Sequence, residues 1–437
     1  MKVSKRAYHE LEGRTKMRAK NKGVGGGMRR TFLLRRLRWL LLVVIAVCMP
    51  RPLCAQIDPY PRELIELGYH KELTGHAPLA GYLYYYRNVP QFLQSNLALR
   101  AVVSPVYADG ELGIRDVLGP HTDIGIGLAG GGFAYSYNDI RGGEWLKKES
   151  WVGHGVGVSG SVYHLFNPAA RIPLYGVFRS AFQYAIYESS SDTARNFVIP
   201  DNQPTASLRA GLRWGGLEFL MMPALGLEVS GWYDGLYRLS PGTYGFAQDR
   251  DIERWVHLFW GRALFRYTMP ESKHTFGLGL DAGTTIHPDQ LSAYRLGGLL
   301  DLTAEFPYRI PGYYVGELSA RNFFLLNGFY DVPLDSRKCW RFAVGASTGR
   351  VSFTPGMDQP HNWNSGVGCQ LSYHNPSESI KIGLLYGYGI NAIRDHGEGG
   401  HAIALMAQID LEKSKVGKGT QPRRPPFQFF KGLLRTF

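Results

Sequence analysis

Long apolar runs are missing from this sequence of 437 residues. The stretch from Trp39 to Met49 has eleven residues. A helix needs about 20 to cross a bilayer, and no later run approaches that length, so a helical anchor is the weaker reading. Cysteine is scarce too, with four in all, of which Cys48 and Cys54 fall in the N-terminal segment. The remaining Cys339 and Cys369 are too few for a disulfide framework. Cys54 lacks the small residues that should precede a lipoprotein cysteine, so no lipid anchor is expected. Net charge is also nearly absent beyond residue 55. Of 49 Lys and Arg, 14 precede Gln56, with only Glu10 and Glu12 against them, leaving 35 basic and 34 acidic residues. The formal charge of +13 therefore belongs to the N-terminal segment, and no nucleic-acid partner is expected. The 13 histidines are scattered, without an H-E-x-x-H motif or a Cys/His cluster at ligand spacing. Neither metal nor cofactor is expected.

The N-terminal segment combines a basic cluster (Arg29, Arg30, Arg35, Arg36, Arg38), the short apolar run and Leu53-Cys54-Ala55 before Gln56. This is the pattern of a Sec signal peptide cleaved after Ala55, with Met28 as the expected start and residues 1–27 as an upstream extension. The expected organisation is residues 1–55 as extension plus signal peptide, 56–79 as a periplasmic lead, 80–411 as the main domain and 412–437 as a basic periplasmic tail. In that tail Phe427, Phe430, Leu434 and Phe437 recur at helical spacing.

From residue 80 onward the period is two. Ile380, Ile382, Leu384, Tyr386 and Tyr388 share one face, and Lys381, Gly383, Leu385 and Gly387 share the other. Trp363, Val367, Cys369, Leu371 and Tyr373 repeat the pattern, as do Ala206, Leu208, Ala210, Leu212 and Trp214. Fifteen such segments can be marked between residues 80 and 411. A soluble β-sandwich also alternates, but its strands run about 5 or 6 residues, whereas membrane strands run about 9 to 11. Aromatics at the ends of the apolar faces (Trp214, Tyr233, Tyr267, Tyr373, Tyr388) suit the headgroup level. The expected fold is all-β, a transmembrane antiparallel barrel, and because an even number of strands is needed, one of the fifteen is either over-marked or lacks a partner still to be found. Alternation from Trp340 puts Cys339 inside and Cys369 outside, so two free thiols are expected.

Three motifs have competing readings. Gly125 to Gly130 and Gly155 to Gly160 match the dinucleotide fingerprint, but each lies in alternating strand sequence with no helix behind it. Gly345-Ala-Ser347-Thr-Gly349 matches a nucleophile elbow, which needs a strand-to-helix turn, whereas the strand pattern continues through Phe353. Long loops without linker composition are commonly functional, and one spans Tyr294 to Glu317.

Tyr294-Arg295-Leu296-Gly297-Gly298 resembles the start of the large inward-folding loop of the BamA/TamA-type bacterial surface-antigen barrels. Gly366-Val-Gly, Ser379 to Gly389, Gly397-Glu-Gly-Gly400 and His401 to Leu411 resemble that family's last three strands. The resemblance implies a sixteen-strand barrel with a lumenal loop. It also implies an arginine at the loop tip that meets an acid on the wall. Here the tip reads Pro311-Gly312-Tyr313, and Phe342 to Ser347 offers no acid, so both halves of that pair are expected to be absent, with Arg295 or Arg309 as substitutes. The short lead leaves no room for the family's POTRA domains, so assembly-factor activity is not expected to carry over.

The resulting expectation is a non-catalytic, monomeric outer-membrane barrel for protein insertion, export or substrate passage. Its gating loop would include Arg295, Gly297, Gly298, Arg309, Gly312, Tyr313 and Glu317. Expected partners are outer-membrane lipid and lipopolysaccharide, together with periplasmic or outer-membrane proteins. A general porin and a hydrolase using Ser347 are the alternatives.

Overall fold

The computed structural model describes residues 61–170, 172–216, 225–300, 308–395 and 397–416. The signal peptide, its cleavage site and the aromatic repeat of the tail lie outside these residues. Sixteen long strands form the wall: β1 (Arg62–Glu72), β2 (Ala80–Pro90), β3 (Leu97–Ser104), β4 (Tyr107–Ile114), β5 (Thr122–Gly131), β6 (Trp151–Leu165), β7 (Leu174–Ser189), β8 (Gln203–Gly216), β9 (Leu225–Arg238), β10 (Trp255–Thr268), β11 (Thr275–Ile286), β12 (Leu318–Pro333), β13 (Trp340–Phe353), β14 (Trp363–His374), β15 (Ile380–Arg394) and β16 (Gly397–Asp410). Each pairs antiparallel with the next, and β1 pairs with β16 from Leu64↔Asp410 to Glu72↔Ala402. The sheet therefore closes without an edge, which satisfies the backbone hydrogen bonds inside hydrocarbon.

The side chains follow from the two-residue period. Along β5, Ile126 and Leu128 are 59% and 61% exposed on the outside, while Asp123 and Ala129 are buried inside. Along β15, Ile380, Ile382, Leu384 and Tyr386 face out and Leu385 faces in. Aromatics gather at both rims of this apolar belt. Tyr237 and Trp255 pack at 4.2 Å at one end, and Trp340 and Tyr373 at 5.2 Å at the other. An outer surface of this kind is matched to lipid, and the protein is a closed, transmembrane antiparallel barrel. No helix among the described residues is long and apolar enough to cross a membrane. Crossing is by strands.

The missing sixteenth strand is β1, so the barrel starts at Arg62 and the expected lead of 56–79 is largely wall. Its signal was diluted by charge. Only Ile65, Leu67 and Tyr69 are apolar along the outside, whereas Glu66, His70 and Glu72 face in and are buried. Glu66 accepts hydrogen bonds from Tyr82 (2.8 Å) and Tyr84 (2.8 Å) of β2, which makes a charged strand compatible with the lumen. The other end of the domain also shifts slightly, because β16 ends at Asp410 and a helical turn, Leu411–Val416, follows.

Both glycine-rich matches sit in β5 and β6, and a side chain at Gly125 would collide with Glu111. Gly125 and Gly127 leave room for the inward Glu111 and Ser159. Ser347 lies mid-strand in β13, paired with Asn327 and Gly366, with no turn beside it. Cys339 and Cys369 are free, the first buried and the second level with the outward Val344.

Connections are short at the end of the barrel where β1 begins and β16 ends. At the opposite end they are long, spanning 132–150, 190–202, 239–254 and 287–317. The two ends therefore differ in kind.

Candidate functional site

The loop between β11 and β12 turns inward rather than outward. Tyr294–Leu296 pairs with Leu318–Ala320 and extends the sheet of β12 for three residues. Beyond it the chain reverses at Gly297 (φ +126°) and Gly298 (φ +93°), conformations that side chains other than glycine's rarely adopt. Bridges Leu296↔Tyr308 and Gly298↔Ile310 then bind the loop to itself. Apolar burial holds this unit in the lumen. Leu296, Ile310, Tyr313 and Leu318 are fully buried in a cluster with Trp232 of β9, Trp260 of β10 and Val351 of β13. Leu299 and Leu300 pack on Leu385, Ala402 and Ala404 of β15 and β16. The loop thus spans the lumen from one wall to the other and forms a lid.

The tip lands on glycines. A side chain at Gly312 (φ +82°) would collide with the main chain of Tyr388, Gly389 and Gly400. Side chains at Gly366 or Gly368 would meet Pro311, at Gly387 Leu299 and Gly312, and at Gly389 Tyr313. Backbone therefore rests on backbone across β14, β15 and β16.

An ion pair fixes this contact. Glu317, 1% exposed, takes two hydrogen bonds from Arg394, at 2.9 Å to Oε1 and 3.1 Å to Oε2. Its Oε2 also accepts the Tyr314 amide (2.8 Å). Arg394 donates to the Gly312 carbonyl (3.1 Å), and its guanidinium lies 3.7 Å from the Tyr314 ring centroid. The expected absence of a lid-to-wall pair is corrected here. The pair exists with its polarity reversed, the carboxylate on the lid and the arginine on the wall. The Glu317 partner is neither of the two arginines expected as substitutes. Arg295 donates to the Gly316 carbonyl (3.4 Å) and sits 4.7 Å from the Tyr137 ring, while Arg309 is exposed and within electrostatic reach of Asp281. Arg394 was not legible because the register shifts between Gly389 and Ile393, so counting alternate residues from Tyr388 does not say which way it points.

The lid also touches the seam where the barrel closes. Tyr314 donates to the Thr74 carbonyl (3.4 Å), and the Thr74 hydroxyl accepts the His401 amide (2.9 Å), so lid, β1 and β16 meet at one place. Tyr313 donates to Asn364 of β14 (3.1 Å).

Above the lid, the long loops fold into a roof with their own core of Trp151, Phe197, Tyr244 and Ile252. Arg250 pairs with Asp139 (3.0 Å) and Glu149, and Arg238 pairs with Asp289. Burial holds the Asp139 carboxyl above the usual carboxylate range, against the pull of Arg141, Arg250 and Arg295. The roof joins the lid where Arg295 lies over the Tyr137 ring. Its chemistry is that of fixed ion pairs and packing. Among the described residues no group of three or more His, Cys, Asp or Glu could hold a metal.

Comparison with known proteins gives fold-level likeness. No family profile matches the sequence, and no curated protein matches it either. Among solved structures, CdiB from Acinetobacter baumannii aligns with 80% of this chain at 10% identity and a TM-score of 0.52. CdiB from Escherichia coli aligns with 79% at 11% identity and 0.50. BamA from Haemophilus ducreyi lacking POTRA domains 1–3 aligns with 80% at 11% identity and 0.49. This chain spans 60% and 62% of the two CdiB chains. At such identity the two CdiB alignments establish a shared barrel fold.

Proposed function

We propose that this protein is a surface-antigen-type barrel of the bacterial outer membrane. Its role is non-catalytic: protein insertion, export or passage of a substrate through a lumen gated by the internal lid. The observation that carries the reading is the lid itself, laid across the lumen onto a glycine bed and held by Glu317 and Arg394. The likeness to CdiB barrels and the Tyr294 to Gly298 loop start support the family, while the lipid-facing belt supports membrane residence with lipid and lipopolysaccharide as neighbours. By the rule that short turns face the periplasm, β1 begins and β16 ends on that side, and the roof faces out.

An open porin is the competing reading, and the buried lid speaks against it. Planar-bilayer recording of the purified full-length barrel separates the two. The gated barrel conducts little and conducts more when residues 299–316 are deleted. High steady conductance from the intact protein, unchanged by the deletion, overturns the gating role.

A further inference from the structure

The inward arginines of the wall are matched to carboxylates. Arg100 meets Glu111 (2.9 Å), Arg179 the same Glu111 (3.0 Å), Arg209 Asp234 (2.5 Å), Arg213 Glu228 (3.0 Å), Arg262 Asp281 (3.4 Å) and Arg341 Asp331 (3.0 Å). Cations at the short-turn mouth break this pattern: Arg115, just past β4, has two side-chain nitrogens buried without a hydrogen bond among the described residues, and two more cations lie on the wall. Arg266, near the end of β10, and Lys381, at the start of β15, make no hydrogen bond or ion pair among the described residues.

Arg266 is propped by a ring rather than bound by an acid. Its guanidinium lies 5.7 Å from the centroid of Phe329, whose ring fills the space that a side chain at Gly277 would occupy. Lys381 sits level with His374 on one side and Gln408 on the other. Lys381, Arg341 and Arg266 are all near enough to act electrostatically on His374, and Arg266 acts on Lys381. Three carboxylates share the neighbourhood, and each is already engaged. Asp331 binds Arg341, Glu378 pairs with Lys413 (3.4 Å), and Asp410 accepts the Lys413 amide (3.0 Å). Convergent cations repel, and an anion placed between them relieves the repulsion and gains charge-assisted hydrogen bonds.

We propose that the short-turn mouth of the lumen is a binding site for a small, multiply charged oxyanion, a phosphate or polycarboxylate solute, received by Arg266 and Lys381. The site does not depend on the lid, and its readout is binding rather than conductance.

The test is calorimetric titration of inorganic phosphate and of citrate into the full-length barrel in lipid-free detergent at low salt. Saturable binding of at least one anion is expected, with the preferred anion naming the ligand class. Arg266→Gln and Lys381→Gln each weaken it by about tenfold, as loss of one charge-assisted contact should. Lys273→Gln, on an exposed turn nearby, leaves it within about twofold, because exposed charges act weakly. Heat-modifiable gel migration checks folding of every variant. Should Lys381→Gln fail to fold, Lys381→Arg keeps the charge and must keep binding. Absence of saturation in the wild type, an equal loss in Lys273→Gln, or binding seen only with anionic phospholipid vesicles overturns the proposal.

Discussion

The wall from β3 to β10 and the wall from β14 to β16 carry different inward faces. On the first, charged side chains away from the short-turn mouth satisfy one another. Glu111 alone receives Arg100, Arg179 and the Tyr163 hydroxyl (2.8 Å), and Asp234 receives Arg209 and the Trp260 indole (2.8 Å). On the second, glycines leave the backbone bare, and the lid supplies what covers it. Both faces use the same strand period. The first pairs its charges without any loop, although Trp232 and Trp260 also pack on the lid, whereas the second has its glycine backbone covered only when the lid is down. A gate belongs on the second kind of wall, where one contact decides between two states.

The sharpest way to break this comparison is to remove the lid carboxylate that Arg394 holds. Glu317→Ala leaves Arg394 buried without its acid and should cost about 3 to 5 kcal/mol of lid docking, seen as a large rise in conductance and faster hydrogen exchange at 308–317. Adding Arg394→Ala should recover part of the loss. A single-channel trace unchanged by Glu317→Ala means the pair does not hold the lid.

The inside-outside assignment comes next. Leu384→Arg, on the outward face of β15, should cost about 2 to 4 kcal/mol of stability in bilayers, and Ser372→Arg on the lumenal face of β14 should cost less. Urea unfolding in vesicles measures both, and equal costs would reverse the faces.

Arg179→Ala tests redundancy on the charged wall. Glu111 keeps Arg100 and Tyr163, so the loss should be about 1.5 to 3 kcal/mol, with conductance unaltered. A rise in conductance as large as that of Glu317→Ala would erase the distinction between the walls. The smallest effect is expected from Gly387→Ala. A methyl group there crowds Leu299 and the Gly312 amide and should cost the docked lid about 1 kcal/mol, read as a modest increase in open time.

Much of this was legible before any coordinates. The outward face of β15 could be read from Ile380, Ile382, Leu384 and Tyr386, because alternation in a strand fixes sides without knowledge of neighbours. Gly297, Gly298 and Glu317 could be marked as parts of a loop with work to do. The failures share a cause. In β1, partners supplied by β2 make Glu66 acceptable in the wall, and a sequence read along one strand does not show them. Arg394 lies past a register shift, where counting residues no longer tells direction. The glycines at 366, 387 and 400 were visible as motifs. That they form a landing surface for Gly312 depends on a fold that brings three strands under one loop.

The contact at Thr74 has a consequence for the order in which the molecule is made. The bond from Tyr314 reaches back 240 positions and that from His401 reaches back 327, so both wait for the first hairpin to meet the last. Joining chain ends so far apart carries a large entropic cost before any contact repays it, and such pairings come late. A barrel still missing β16 lacks Gly400 and His401, and with them part of the lid's bed and the link to Thr74. The latch can therefore engage fully only around a finished ring, and its engagement records that the ring has closed.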